Sequence, residues 1–167
     1  MEKKQSVIRI KPIGGVRTQT SENKLQAGEV ISQILLAKDL ATSLDGLDGF
    51  SHIYIIFWMH KIPPTKLVGR RKIYPWGELK MPLVGVFATR SPVRPNPIGL
   101  TLVELLERRG NILKVKGLDA LDGTLVLDIK PFDFWDAEKF RKAKVPDWWM
   151  KGKTERWKQW RQLLKTT

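Results

Sequence analysis

The sequence predicts an antiparallel, mostly β domain, closed or half-closed as a barrel. Short runs rich in β-branched and aromatic residues greatly outnumber helix-period segments. The last three of these runs, Ile98 to Leu106, Ile112 to Lys116 and Leu125 to Ile129, are joined by turn-forming stretches, Arg108-Arg109-Gly110-Asn111 and Leu118-Asp119-Ala120-Leu121-Asp122-Gly123-Thr124. That spacing predicts a three-strand meander. At 167 residues with 42% hydrophobic content, one domain with a substantial core is expected.

From the start, Val7-Ile8-Arg9-Ile10 reads as a strand, and the polar residues Thr18 to Gly28 as an exposed loop. Val30 to Leu36 is a second β-like run. Leu40, Leu44 and Leu47 recur at helical spacing, which predicts a short helix between Ala37 and Leu47. Phe50 to His60 is the clearest strand. Ile53, Ile55, Phe57 and Met59 line one face, with His52, Tyr54, Ile56, Trp58 and His60 on the other. Ile62 to Pro82 carries Pro, Gly and the basic triplet Arg70-Arg71-Lys72, and reads as a long excursion of the kind that is functional or mobile. Leu83 to Phe87 reads as a further strand. After Pro131 the character changes: Phe132 to Trp135 is aromatic, Trp148-Trp149 follow Pro146, and Thr154 is placed to cap a helix running through Leu164. On that helix Trp157, Trp160 and Leu164 share one face, with Lys158, Arg161 and Lys165 opposite. Docking against the body and RNA contact both suit such a helix. The expected division is a β domain over 1–135 and a basic, Trp-rich tail over 136–167.

The formal charge is +13, which points to a polyanionic partner, nucleic acid before anionic membrane. Residues from Lys139 onward hold ten Lys or Arg and two acids, 10 − 2 = +8, so most of the excess is in the tail. There is no cysteine, which removes disulfides and Cys-ligated metals and fits a reducing compartment. No long apolar run follows the first residues, and Ile53 to Met59 is too short to span a bilayer, so a soluble, cytoplasmic protein is expected. His52 and His60 are eight residues apart, about 26 Å along an extended strand, too far for one metal ion. No metal site is predicted. Phosphate-binding glycine loops and nucleophile elbows are also missing from the sequence.

Candidate chemistry concentrates at three strand ends: His60-Lys61, the loop with Arg90, Ser91, Arg94 and Asn96, and the Asp119 to Thr124 turn. The loop Ala88 to Leu100 is distinctive, with Pro92, Pro95 and Pro97 falling within six residues. Proline fixes its own φ and drives the preceding residue toward extended geometry. Such a loop is stiff, and is either a connector or a clamp that holds Arg90, Arg94 and Asn96 in fixed directions. The three strand ends are expected to converge on one rim of a barrel.

The segments Phe50-Ser51-His52, Phe57-Trp58-Met59-His60, Val84 to Pro92, Arg94-Pro95-Asn96-Pro97-Ile98-Gly99-Leu100 and Gly117 to Thr124 closely resemble the TsaA-like (YaeB, TrmO) family, in order from about Ile10 to Phe132. The resemblance implies a single-sheeted antiparallel β-barrel with few short helices, here with a C-terminal helical tail. It also implies a homodimer that uses S-adenosyl-L-methionine to methylate N6 of threonylcarbamoyladenosine beside the anticodon of tRNA. The cofactor-binding positions it implies are Lys24, Leu25, Gln26, His60, Lys61, Arg90, Leu100, Asp122, Gly123, Thr124 and Leu125. Leu125 stands where the family often has proline, and Phe132 where it often has tyrosine. Catalytic candidates are Arg90, Asn96 and Asp122. Arginine cannot act as a base near neutral pH, so Arg90 suits a clamp and Asn96 an orienting amide, while Asp122 and His60 are the proton-acceptor candidates. The RNA-binding candidates are Arg70, Arg71, Lys72, Arg94, Lys158 and Arg161. A non-catalytic cofactor- or RNA-binding module of the same fold is the alternative.

Overall fold

In a computed structural model of the chain, residues 7–19, 30–63 and 71–154 are described. They form two compact units, Met1–Trp58 with Leu100–Pro131, and Met59–Gly99 with Phe132–Thr167. The chain leaves the first unit for the last time at Pro131.

The first unit is a closed antiparallel barrel. Its strands are β1 (Gly14–Arg17), β2 (Ile31–Leu36), β3 (His52–Trp58), β6 (Ile98–Arg109), β7 (Ile112–Lys116) and β8 (Leu125–Pro131), in the order β1-β2-β7-β6-β3-β8 and back to β1. Alternation fills the interior. Ser32, Ile34 and Leu36 point inward from β2, Ile53, Ile55 and Phe57 from β3, and Leu113 and Val115 from β7. Register places these side chains against one another, with Val16 opposite Ile34, Ile34 opposite Leu113, and Phe57 opposite Val126. The long strands bend at two irregularities. One extra residue, Leu127, enters β8 between the partners of Ile56 and Phe57, and Leu106 enters β6 between Leu105 and Glu107. Bulges of this kind increase local twist and let a sheet close.

Four expectations need correction. Val7 to Ile10 is exposed and pairs with nothing as a strand; β1 starts at Gly14, opposite Leu36, the last residue of β2. The helix at 37–47 is two 3-10 segments, Lys38–Leu44 and Leu47–Gly49, divided at Gly46 with φ +85. The meander holds for β6 and β7 only. β8 pairs with β1 and β3 instead, because β2 already occupies the free edge of β7. Leu83 to Phe87 contributes no barrel strand: β5 (Val84–Gly85) pairs with β4 (Lys72–Ile73) in a separate two-stranded sheet of the second unit, and the chain then curls into a 3-10 turn at Val86–Ala88.

The 3-10 segments are held to the barrel by Arg108. Its guanidinium donates to the carbonyls of Ala41 (3.2 Å) and Leu44 (3.0 Å) and to the carboxylates of Asp45 (2.8 Å) and Asp48 (3.2 Å). The Asp45 hydrogen bond raises the Arg108 pKa further above its ordinary value against the opposing cost of desolvation, so the group stays charged wherever the protein is folded.

The second unit also holds an α-helix, α1 (Phe134–Lys142), and helical turns over 147–154. Thr154 does not cap a new helix. It sits within these turns, and its hydroxyl donates back to the Met150 carbonyl at 2.9 Å. The predicted face of Trp157, Trp160 and Leu164 lies outside the described residues. Among the described residues no helix is long and apolar enough to cross a membrane, and no group of three His, Cys, Asp or Glu could hold a metal ion.

Gly14 lets β1 close the barrel. A Cβ there would lie 2.3 Å from the Leu35 carbonyl oxygen, whereas one on Gly15 would meet nothing nearer than 3.8 Å. Gly14→Ala is expected to destabilise by about 1–3 kcal/mol in urea titrations, with Gly15→Ala costing clearly less.

Candidate functional site

In the first unit the candidate groups lie on the turn that leads into β8. Leu118 and Ala120 are buried and anchor its start, and Asp119 accepts a hydrogen bond from the Thr101 hydroxyl. Gly123 takes φ +74 at the third position of the Leu121–Thr124 turn, closed by the Thr124 N–H on the Leu121 carbonyl at 3.1 Å. The turn is bonded to β1 from both sides. The Gly123 N–H donates to Val16 (2.9 Å), the Val16 N–H donates to Thr124 (2.9 Å), and Asp122 Oδ1 accepts the Thr18 N–H at 2.9 Å. Thr124 is buried, while Asp122, Gly123 and Leu125 are exposed. Leu125 lies opposite Trp58 on β3, and β3 is flanked by β6, which carries Leu100. Leu100 (55%), Trp58 (37%) and Leu125 (43%) are thus all exposed on three neighbouring strands, an apolar surface suited to a planar or alkyl ligand.

In the second unit the candidate groups are built around the proline loop. Its rigidity has two sources. The first is the prolines, with Pro97 fully buried. The second is a relay of hydroxyls. The buried Thr89 donates its hydroxyl to the Val86 carbonyl (2.8 Å) and accepts the Ser91 N–H (3.2 Å), and the Ser91 hydroxyl accepts the Val93 N–H (3.2 Å). Tight turns then follow, with the Arg94 N–H on Pro92 (3.0 Å) and the Ile98 N–H on Asn96 (2.7 Å). Side-chain hydroxyls thus replace the strand pairing that proline forbids. The loop leaves Arg90 and Asn96 exposed and Arg94 half-buried. The Met59 N–H donates to the Pro97 carbonyl at 2.8 Å, which ties the exposed pair His60-Lys61 to the Asn96 end of the same loop. Arg71 and Lys72 are exposed at β4, where the Arg71 carbonyl accepts the Val86 N–H at 3.0 Å.

The candidates therefore divide between the units. Leu100 and Asp122 to Leu125 belong to the barrel; His60, Lys61, Arg71, Lys72, Arg90, Arg94 and Asn96 belong to the second unit. Lys24, Leu25, Gln26, Arg70, Lys158 and Arg161 lie outside the described residues. Ser91, expected as candidate chemistry, serves with Thr89 as internal scaffold of the loop; Thr89, and Trp58 as the neighbour of Leu125, were not singled out from sequence. A Thr-x-Ser spacing ahead of proline is a usable signal for the first, whereas the second needs the β3–β8 register.

The sequence profile of the tRNA-methyltransferase O N-terminal domain matches residues 17–136. The chain belongs to that family. It is 45% identical over 130 residues to a "Probable S-adenosyl-L-methionine-binding protein" of Methanothermobacter thermautotrophicus, covering 75% of this chain and 90% of the relative. It is 48% identical over 90 residues to the mouse (Mus musculus) "tRNA (adenine(37)-N6)-methyltransferase", covering 54% of this chain but only 20% of that longer protein. A crystal structure of TrmO from P. aeruginosa is similar with a TM-score of 0.66 and 28% identity, covering 87% of this chain and 63% of the other. The TrmO-family barrel is thus confirmed in both sequence and structure.

The hydroxyl relay should matter for folding. Thr89→Val leaves the Ser91 N–H without its acceptor and is expected to cost about 1–3 kcal/mol by chemical denaturation. Arg90→Ala, at an exposed position, should leave the melting temperature essentially unchanged.

Proposed function

We propose that this protein is an S-adenosyl-L-methionine-dependent methyltransferase acting on N6 of threonylcarbamoyladenosine next to the anticodon of tRNA. The observation that carries the reading is the proline loop of a TrmO-family domain, held rigid by its own hydrogen bonds with Arg90 and Asn96 exposed. S-adenosyl-L-methionine would supply a methyl group already activated on a sulfonium, so the protein's work is alignment of the acceptor. The residues present suit that ligand. Leu100 and Leu125 offer exposed apolar surface, the fixed Asp122–Thr124 turn offers an acidic and a backbone edge, and Arg90 and Lys61 offer cationic contacts for a carboxylate. In this reading the cofactor-binding positions are Leu100, Asp122, Gly123, Thr124 and Leu125, with His60, Lys61, Arg90 and Lys24 to Gln26.

Asn96 orients the acceptor. An exocyclic adenine nitrogen is a weak nucleophile with a delocalised lone pair, and an acceptor for its proton favours attack. Asp122 keeps one carboxylate oxygen beyond the one that holds the Thr18 N–H, and His60 is the other group able to take the proton. Arg71, Lys72 and Arg94, with Arg70, Lys158 and Arg161, contact the RNA backbone. The acceptor base lies in a loop, where extrusion costs less than in a duplex. The working form is a homodimer in a cytoplasmic, reducing compartment, consistent with a chain free of cysteine; light scattering at micromolar concentration reporting a monomer would exclude the dimer.

A second reading is a cofactor- or RNA-binding module without catalysis. It is favoured by the archaeal relative, matched over 90% of its length and named only for binding S-adenosyl-L-methionine. Calorimetry with S-adenosyl-L-methionine followed by methyl transfer to bulk tRNA separates the two, since binding without turnover on any RNA supports the module. For the methyltransferase, nucleoside mass spectrometry of tRNA from cells lacking the gene should show loss of the methylated threonylcarbamoyl nucleoside, and an unchanged level refutes the substrate. Arg90→Ala is expected to lower transfer by about 10- to 100-fold without loss of fold.

A further inference from the structure

None of the described cofactor candidates lines the cleft that opens elsewhere in the second unit. This cleft, of about 670 Å³, is bordered by Lys80, Met81, Pro82, Asp147, Trp148 and Lys151. Its floor is aromatic and preset. Trp148 packs edge-on against Trp76 (centroids 6.5 Å apart, planes at 63°) and Trp149 (5.6 Å, 73°), and Trp76 also meets Trp149 at 5.6 Å. Two features show how firmly the cluster is imposed. Trp76 has φ +57 within the Pro75–Gly77 turn, a conformation that costs a bulky residue energy and persists only where its surroundings enforce it. Gly152 is buried against the same ring, where a Cβ would lie 2.0 Å from it.

Around that floor the chemistry is mixed in a particular way. Lys80 and Lys151 are exposed at the rim, and Asp147 and Lys151 stand four residues apart, on one face of their helical turns. Lys80 also pairs with Glu78 at 3.2 Å, which orients its ammonium without burying it. A fixed indole with an adjoining methionine and proline offers a surface for a flat ring. Two ammonium groups suit phosphates, and one carboxylate accepts from an amino group on a base edge.

Resting on the reading of RNA as substrate, we propose that this cleft binds an unpaired nucleotide of the tRNA other than the one methylated. Its base lies on Trp148 and Met81, its flanking phosphates lie at Lys80 and Lys151, and Asp147 takes a base amino group. The site fixes the register of the RNA on the protein, independently of the cofactor.

The test is filter binding of an unmodified tRNA transcript to the full chain between 50 and 200 mM KCl, comparing wild type with Lys80→Ala/Lys151→Ala. The double variant should lose roughly tenfold in affinity near 100 mM salt, and its slope of log K against log salt should shrink by about 1.4–1.8, the share of two phosphate contacts. Its melting temperature and its calorimetric affinity for S-adenosyl-L-methionine should be those of wild type. Unchanged RNA affinity and slope in the double variant overturn the proposal, as does failure of the wild type to bind any tRNA. The transcript lacks the threonylcarbamoyl group, so its binding is read apart from methyl transfer; failure to methylate bulk tRNA that carries the group counts against the methyltransferase reading but leaves the cleft standing. Asp147→Asn should weaken binding; if it tightens binding instead, Asp147 repels phosphate and does not read a base.

Discussion

Closure of the barrel rests on β1, a strand of four residues that pairs with β2 on one side and β8 on the other. So short a strand contributes few ladder bonds, and the structure supplements them from its flanks. The Ile13 N–H reaches Val126, Gly123 reaches Val16, and the Thr18 N–H ends on Asp122. Gly14 lets the backbones approach closely enough for this to happen. Closure removes the open edges that a six-stranded sheet would otherwise expose. It also fixes the Asp122–Leu125 turn, since that turn is itself part of the seam.

The second unit solves a different problem. Its proline loop cannot pair as a strand, because each proline lacks an N–H, yet an arginine on a slack loop would lose much entropy on binding a ligand. The hydroxyls of Thr89 and Ser91 satisfy the backbone locally, and the Pro97 carbonyl takes the Met59 N–H. Order is thus obtained without a sheet, and the chain after β3 is drawn to the loop by the same contact. The aromatic cluster of Trp76, Trp148 and Trp149 shows a third way of fixing irregular chain, by packing flat rings around a buried glycine.

Legibility followed range. β2, β3, β6 and β7 could be read because their apolar residues alternate, as with Ile53, Ile55 and Phe57. Val7 to Ile10 alternates no worse, but β1 begins only at Gly14, opposite the last residue of β2, and no local pattern carries that information. The same holds for β8, whose turn from β7 looks like a hairpin and instead leads across the barrel to β1 and β3. Leu83 to Phe87 misled for the opposite reason, since only Val84 and Gly85 pair with Lys72–Ile73 before the Thr89 bonds curl the chain. For the site, residue types and family motif singled out Arg90, Asn96 and Asp122. Arg108 was passed over as a turn residue, because four of its partners lie sixty or more positions away.

By itself the sequence determined that this is a basic, cysteine-free, mostly β chain with the proline-loop motif of the TrmO family. Those properties are written in composition, period and short motifs. The tertiary structure alone decided which strands pair, that the candidate residues divide between two units, and that Trp76 meets Trp148, Trp149 and Gly152. Pairing across long separations depends on which edges remain free once the other strands are placed. Close packing depends on where a missing side chain leaves room.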